Sequence, residues 1–268
     1  MGSATIGSRG LNAARSEVLD MMIGGRAHSL EDIAAIGTLN LPFAEISLAD
    51  LDQVERDFEP LLRLREEYHL SYLGHGPEEG NPRDTEKQRR NLLPKVCSLL
   101  DWAKRLEITL FTIHFWLDAR FVPKETVLKK LELLEEMNDH AAANGVVLSI
   151  ENLSETSEDF SIVFERLPGV GLTLDIGHGE LMRGENTAYG FMHDFPDRIK
   201  HVHAHDNRGG NLPRDDLHLP IGEGIIDYSS ILAGLRETGY DQTITLEIKP
   251  SFMVEGKREI EKRLLTHT

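Results

Sequence analysis

The sequence predicts a closed (β/α)8 TIM barrel that fills residues 1–268 as one domain. Three observations predict it. Eight short apolar runs, most of them β-branched, alternate with helical segments, which is the pattern of a parallel sheet covered on both faces. The chain has 268 residues, 40% of them hydrophobic, enough for the large core such a barrel needs. Six of the eight runs end on, or are followed at once by, a histidine, aspartate or glutamate, as expected if the C-terminal strand ends carry a site.

The barrel proper is expected over about 18–265, with 1–10 a flexible or expression-derived N-terminus. Val18 to Ile23 reads as the first strand, closed by Gly24-Gly25. Ser29 then caps a helix, with Asp32 in capping-box position. Phe43 to Leu48 is the second strand, followed by an acidic helix from about Asp50 to Glu67. Leu70 to His75 is the third, and a loop with Gly76-Pro77 and Gly80-Asn81-Pro82 leads into a helix holding Cys97. Ile108 to His114 is the fourth strand, and the helix after Pro123 stops at Asn144-Gly145, since glycine tolerates the left-handed conformation of a helix end. Val146 to Glu151, Val170 to Asp175, the run from Ile199 into the histidines, and Thr243 to Glu247 are the last four strands. A charged helix closes the chain, with no linker or low-complexity segment on the way.

The seventh run, Lys200-His201-Val202-His203-Ala204-His205-Asp206-Asn207-Arg208, is the most informative stretch. Period-two alternation places His201, His203 and His205 on one strand face, next to a polar turn. Asp216, His218 and Gly222-Glu223-Gly224 follow closely. Helix capping alone would not select histidine, histidine, glutamate, aspartate, histidine and glutamate around one ring. Mixed imidazole and carboxylate donors suit a divalent ion such as Zn²⁺, Mn²⁺ or Co²⁺.

Composition narrows the partners. The formal charge is −16, from 45 acidic against 29 basic residues. It weighs against nucleic acid and acidic membranes without excluding the former, because bound cations would offset it locally. No run of ~18 apolar residues is present, so no membrane span is expected. The single cysteine, Cys97, excludes an internal disulfide, fits a packing role and points to a reducing, cytoplasmic setting.

Four segments carry a family resemblance: Leu174-Asp175-Ile176-Gly177-His178, His203-Ala204-His205-Asp206-Asn207, His218-Leu219-Pro220-Ile221-Gly222-Glu223-Gly224, and Gly239-Tyr240-Asp241 running into Leu246-Glu247. Together they resemble the xylose-isomerase-like TIM-barrel superfamily, over nearly the whole chain. That superfamily holds sugar and sugar-phosphate isomerases and epimerases, and the endonuclease IV group of DNA-repair enzymes. The epimerase branch implies one divalent ion (Zn, Mn, Co or Mg) held by Glu151, Asp175, His203 and Glu247. Glu151 and Glu247 would then be the catalytic pair, one removing a proton beside the carbonyl and the other returning it through an enediolate. His178 and Arg208 would hold substrate hydroxyls. The endonuclease IV branch implies three zinc ions. His75, His114 and Glu151 match the first set; Glu151 bridges to Asp175, His203 and Glu247; His178, Asp216 and His218 match the third.

The expected function is therefore a metal-dependent sugar or sugar-phosphate isomerase or epimerase acting on a small carbohydrate, with one to three ions per chain. A trinuclear-zinc phosphodiesterase is the alternative, and a non-catalytic metal- or sugar-binding barrel the third. Three features weigh against DNA. The loop after His75 carries Glu78 and Glu79, the loop after the first strand offers only Arg26 as a cation, and no basic patch interleaved with aromatics occurs. Lys249 is a candidate for an anionic substrate group, and Trp116 with Phe115 for a pocket wall, with solvation and rim packing the respective alternatives. His201 is expected in the core or supporting a ligand. Glu155 and Glu158 are expected at the solvated start of a helix. Related barrels often pair, which leaves a homo-oligomer open.

Overall fold

The computed structural model describes residues 21–266, and within them eight parallel strands hydrogen-bond in sequence order and close on themselves. The strands are β1 Met22–Ala27, β2 Phe43–Ser47, β3 Ser71–His75, β4 Leu110–His114, β5 Val147–Glu151, β6 Gly171–Asp175, β7 Ile199–Ala204 and β8 Thr243–Leu246. The helices are α1 Leu30–Thr38, α2 Leu51–Tyr68, α3 Thr85–Lys87, α4 Leu93–Arg105, α5 Lys124–Ala143, α6 Ser157–Arg166, α7 Ile176–Gly179, α8 Ala188–Asp194, α9 Tyr228–Glu237 and α10 Pro250–Thr266. A π-helical segment, Gln88–Leu92, joins α3 to α4, the latter carrying Cys97.

Local chemistry sets the boundaries. The Ser29 hydroxyl accepts from the Asp32 amide at 3.2 Å and opens α1, and Asp50 does the same for α2 through Gln53. Pro123 sits at the N-cap of α5, and Gly145, with φ +73°, follows its end. The expected strands and long helices are therefore present within a residue or two, with one exception. Of the first expected strand, residues 18–20 lie outside the described residues, and β1 runs straight through Gly24-Gly25 instead of ending there. The glycines are packing sites. A Cβ on Gly24 would lie 2.6 Å from the Phe43 ring, and one on Gly25 would lie 2.5 Å from Met253 Sδ of α10. The shifted strand brings Arg26 into the barrel wall, so it is not the loop cation expected.

The outward strand faces pack with the helices into one large apolar core, from Ile23 and Ile36 through Leu131 and Phe160 to Ile244 and Met253. The barrel interior is not apolar throughout. Phe43, Leu73 and Leu110 form a separate small cluster. Two residues beyond Phe43 and Leu110 on the same faces come Glu45 and Thr112, and with them Ser149, Thr173, His201 and Thr245, all fully buried. These are hydrogen-bonded to each other: Thr112 to Thr173 (2.9 Å), Thr173 to Ser149 (2.8 Å) and His201 to Thr245 (2.9 Å). Two residues further along, the next inward positions are His114, Glu151, Asp175, His203 and Glu247. The site therefore rests on a polar layer, which in turn rests on an apolar one.

Candidate metal centre

Each expected ligand reaches the C-terminal mouth of the barrel for a local reason. His75, His114, Glu151 and Asp175 are the last residues of β3 to β6, His203 is the penultimate residue of β7, and Glu247 follows β8. His178 lies on α7, whose first turn is capped by the Asp175 carboxylate accepting from the His178 amide at 2.6 Å. Asp216 and His218 come from the long connection between β7 and α9. That connection is folded back by Asp206 and Leu219, whose amides and carbonyls exchange hydrogen bonds of 2.8 and 2.7 Å. His218 holds a left-handed conformation, φ +45°, which costs a non-glycine residue roughly 1–3 kcal/mol and persists where surrounding structure imposes it.

The nine side chains fall into three groups that could each hold a metal ion, the third also taking in His205, while His75, His203 and Glu247 make a further group that overlaps the first two. In the first, Glu151 Oε2 is 3.3 Å from His75 Nε2 and 3.1 Å from His114 Nε2. In the central one, His203 Nδ1 is 3.2 Å from Glu151 Oε1, 3.4 Å from Glu247 Oε1 and 3.6 Å from Asp175 Oδ2. In the third, Asp216 Oδ2 is 3.3 Å from His178 Nε2 and 3.1 Å from His218 Nε2. Donors around a tetrahedral ion with bonds near 2 Å stand about 3.4 Å apart, so these separations match the edges of such a polyhedron. Glu151 faces the first group with one oxygen and the central group with the other.

The outer nitrogens strengthen the fit. His75 Nδ1 is 3.2 Å from the Gly76 carbonyl, His178 Nδ1 3.2 Å from the Asn152 carbonyl and His218 Nδ1 2.8 Å from the Glu247 carbonyl. His114 Nδ1 is 3.3 Å from Glu78 Oε2, and His203 Nε2 is 2.9 Å from Glu45 Oε2. Each ring can therefore donate its outer N–H to an oxygen, leaving the inner nitrogen free to ligate. Two carboxylate oxygens of the site, Asp175 Oδ2 and Asp216 Oδ1, are buried without a hydrogen-bond partner, as acceptors awaiting a cation would be.

Electrostatics agree. Burial opposes charging of His114 and His218, but Glu151 and Glu78 lift the first to about 10, and Asp216 and Glu247 lift the second to about 9. Burial likewise opposes charging of His178 and His203. Asp175 and Asp216 outweigh it at the first, and Glu45, Glu247 and Glu151 at the second, so both stand well above the ordinary histidine range. Glu151, Asp175, Asp216 and Glu247 are all held below the usual carboxylate range, against burial, by these histidines. These directions pair positive imidazoles with carboxylates, the same charge balance that a bound cation would supply.

Two residues outside the nine expected ligands belong to the site. Glu45, in the middle of β2, is fully buried between His201 and His203. His205 lies one residue beyond the end of β7, stacked on His218 at 3.9 Å between ring centroids. Its ring fills the space left by Gly177, where a Cβ would approach to 2.1 Å. Neither of its nitrogens has a hydrogen-bond partner, although Nε2 is 3.2 Å from Asp175 Oδ1.

Other expectations sort as follows. Arg26 Nε lies 3.3 Å from Glu247 Oε1, and its Nη1 donates to the carbonyls of Ala27 and Glu45, so this cation is built into the centre. Glu79 pairs with the fully buried Lys130 at 2.6 Å, which leaves Glu78 as the exposed acid of that loop. Trp116 stacks on Phe121 and donates its indole N–H to Ser154, while Phe115 is fully buried. Arg208 and Lys249 are exposed, Lys249 beyond the end of β8. Glu158 is exposed as expected, but Glu155 is completely buried and accepts from the amides of Leu117, Leu153 and Ser154; it precedes the helix, whose cap is Thr156. Among the described residues, no helix is long and apolar enough to cross a membrane.

Comparison with known proteins agrees with the fold. The family model described as "Xylose isomerase-like TIM barrel" matches residues 33–264. An uncharacterized protein of Methanocaldococcus jannaschii is 27% identical over 223 residues, which cover 76% of this chain and 73% of that one. Among solved structures, a D-tagatose 3-epimerase-like protein superposes with a TM-score of 0.77 at 25% identity, covering 91% of this chain and 97% of its own. IolI with a bound zinc atom superposes with a TM-score of 0.71 at 19% identity, covering 91% of this chain and 96% of its own; at that identity it speaks for the fold alone.

Proposed function

The chain belongs to the xylose isomerase-like TIM barrel family, and from that premise we propose that it is a divalent-metal-dependent sugar or sugar-phosphate isomerase or epimerase. The observation that carries the reading is the central group, where two carboxylates, Glu151 and Glu247, converge on the same imidazole nitrogen of His203 with Asp175 beside them. A candidate metal group with one glutamate ending β5 and another following β8 suits a pair of acid–base groups on either side of a bound sugar. The likeness to a tagatose 3-epimerase-like structure supports the same reading.

Glu151, Asp175, His203 and Glu247 would hold the ion. When bound, it supplies Lewis-acid polarisation of a substrate carbonyl. One glutamate takes the proton from the adjacent carbon as general base and the other returns a proton, with an enediolate between. Arg26 pairs with Glu247 and holds that carboxylate in place. His178, Arg208, Lys249 and Trp116 are the residues we assign to the sugar itself. The test is a panel of free and phosphorylated ketoses and aldoses with protein reloaded separately with Mn²⁺, Co²⁺, Zn²⁺ or Mg²⁺. Turnover by the parent and its loss in E151Q and E247Q is the expected result; binding retained without turnover in any metal form overturns the reading.

A second reading, phosphodiester hydrolysis by three clustered ions, is favoured by one observation: all three groups form, and Glu151 links two of them. Against it stand the charge of −16 and Glu78, whose side chain is 82% exposed at the mouth, since phosphate contacts dominate DNA binding. Cleavage of abasic-site DNA in Mg²⁺-free buffer would establish it.

A further inference from the structure

The layer beneath the ligands contains one carboxylate, and it is fully buried. Glu45 enters from β2, a strand that supplies no ligand. Its two oxygens lie 3.1 and 2.9 Å from His203 Nε2, and Oε2 is also 3.2 Å from His201 Nε2. His201 is held in turn by Thr245 Oγ1 at 2.9 Å and, through Nδ1, by Thr243 Oγ1 at 2.6 Å. The backbone carbonyl of Glu45 accepts from Arg26, the partner of Glu247. Every polar side-chain atom of Glu45, His201 and His203 is satisfied, unlike Asp175 Oδ2 and Asp216 Oδ1 above. Glu45, His201 and His203 also lie close enough together to be taken for a metal group of their own. His203 turns Nε2 to Glu45 and Nδ1 to the three carboxylates of the central group, and this division makes Glu45 and His201 a support.

We propose that Glu45 is a positioning residue for the central group. By taking the Nε2 hydrogen of His203 it fixes the tautomer and ring orientation that present Nδ1 to Glu151, Asp175 and Glu247, and its negative charge makes that nitrogen a stronger donor. His201, anchored by two threonines of β8, keeps Glu45 from turning away. The arrangement gives β2 a role in the centre. It rests on the reading that the central group binds a metal, and the experiment separates the two.

The test uses the full chain loaded with ¹¹³Cd²⁺ and labelled with ¹⁵N-histidine. In the parent, cadmium coupling is expected on His203 Nδ1 with the hydrogen on Nε2. E45Q keeps the volume and an acceptor oxygen but removes the charge, so central-group affinity for Cd²⁺ should fall about 10–100-fold while the other two groups keep theirs. E45D, which retains the charge, should recover part of that loss. Central-group affinity in E45Q within about twofold of the parent overturns the proposal, and so does an equal loss at all three groups, which would mark a general structural role. A parent that shows no cadmium coupling at His203 refutes the metal reading itself.

Discussion

Metal loading should release protons, and their number reports which groups fill. His114, His178, His203 and His218 all have pKa values raised above neutrality in the metal-free protein, His114 to about 10 and His218 to about 9. At pH 7 the direction of these shifts favours the protonated form of each, yet an imidazole must be neutral to ligate. Filling all three groups displaces a proton from each, about four per chain, whereas filling the central group alone displaces only that of His203, about one. The assay is isothermal titration of chelator-treated protein with Zn²⁺ at pH 7 in buffers of different ionisation enthalpy, whose slope gives the proton count directly. The count should rise toward four as three ions bind. Three ions bound with release of fewer than about two protons would refute the charge balance, because the histidines would then already be neutral and the carboxylates paired with something else.

Further predictions concern stability and stoichiometry. Because those histidine pKa values are raised on folding, their stabilisation is complete below the unfolded value near 6.5 and is lost as pH climbs through about 9–10. Melting temperature of chelator-treated protein should therefore fall between about pH 7 and 10; a flat profile over that range contradicts the shifts. Lys130→Met leaves Glu79 buried without its partner and should destabilise by about 3–5 kcal/mol in denaturant unfolding, most of it restored by adding Glu79→Gln. A loss under about 1 kcal/mol would mean that water reaches the pair. Glu151→Ala removes a carboxylate that faces the first and central groups with separate oxygens, and Glu247→Ala one that faces the central His203, so metal analysis should show the larger deficit for Glu151. Equal deficits would show that Glu151 does not bridge.

The convergence of the candidate ligands was legible because a parallel barrel gathers strand ends, and the sequence marks those ends with His75, His114, Glu151, Asp175, His203 and Glu247 where β-branched runs stop. Glu45 was not, because it lies mid-strand between Ala44 and Ile46 and nothing local shows that its partners are on β7. The signal that could have found it is the polar residue two places before most ligands: Thr112, Ser149, Thr173, His201 and Thr245. Inward alternation turns those residues into a buried polar layer, where a carboxylate can find hydrogen-bond partners. His205 stands out in the alternation of the seventh run, but β7 ends at Ala204, so its ring stacks on His218 from just past the strand. The first strand was placed too early because Gly24-Gly25 resembles a turn, whereas in a barrel the missing side chains admit Phe43 and Met253. Glu155 reads in sequence as a helix-start acid; the amides of Leu153 and Ser154 beside it and that of Leu117 from the loop after β4 converge on it, and a donor 38 residues away leaves no trace in composition.

The most direct test of the central claim is deuterium uptake from D₂O into a panel of ketoses and their phosphates by metal-loaded protein, read by mass spectrometry. Proton transfer through Glu151 and Glu247 predicts incorporation at the carbon beside the carbonyl by the parent chain and none by E151Q or E247Q. Absence of uptake across the panel, with abasic-site DNA cleaved by the same protein, would contradict it and assign the centre to phosphodiester chemistry.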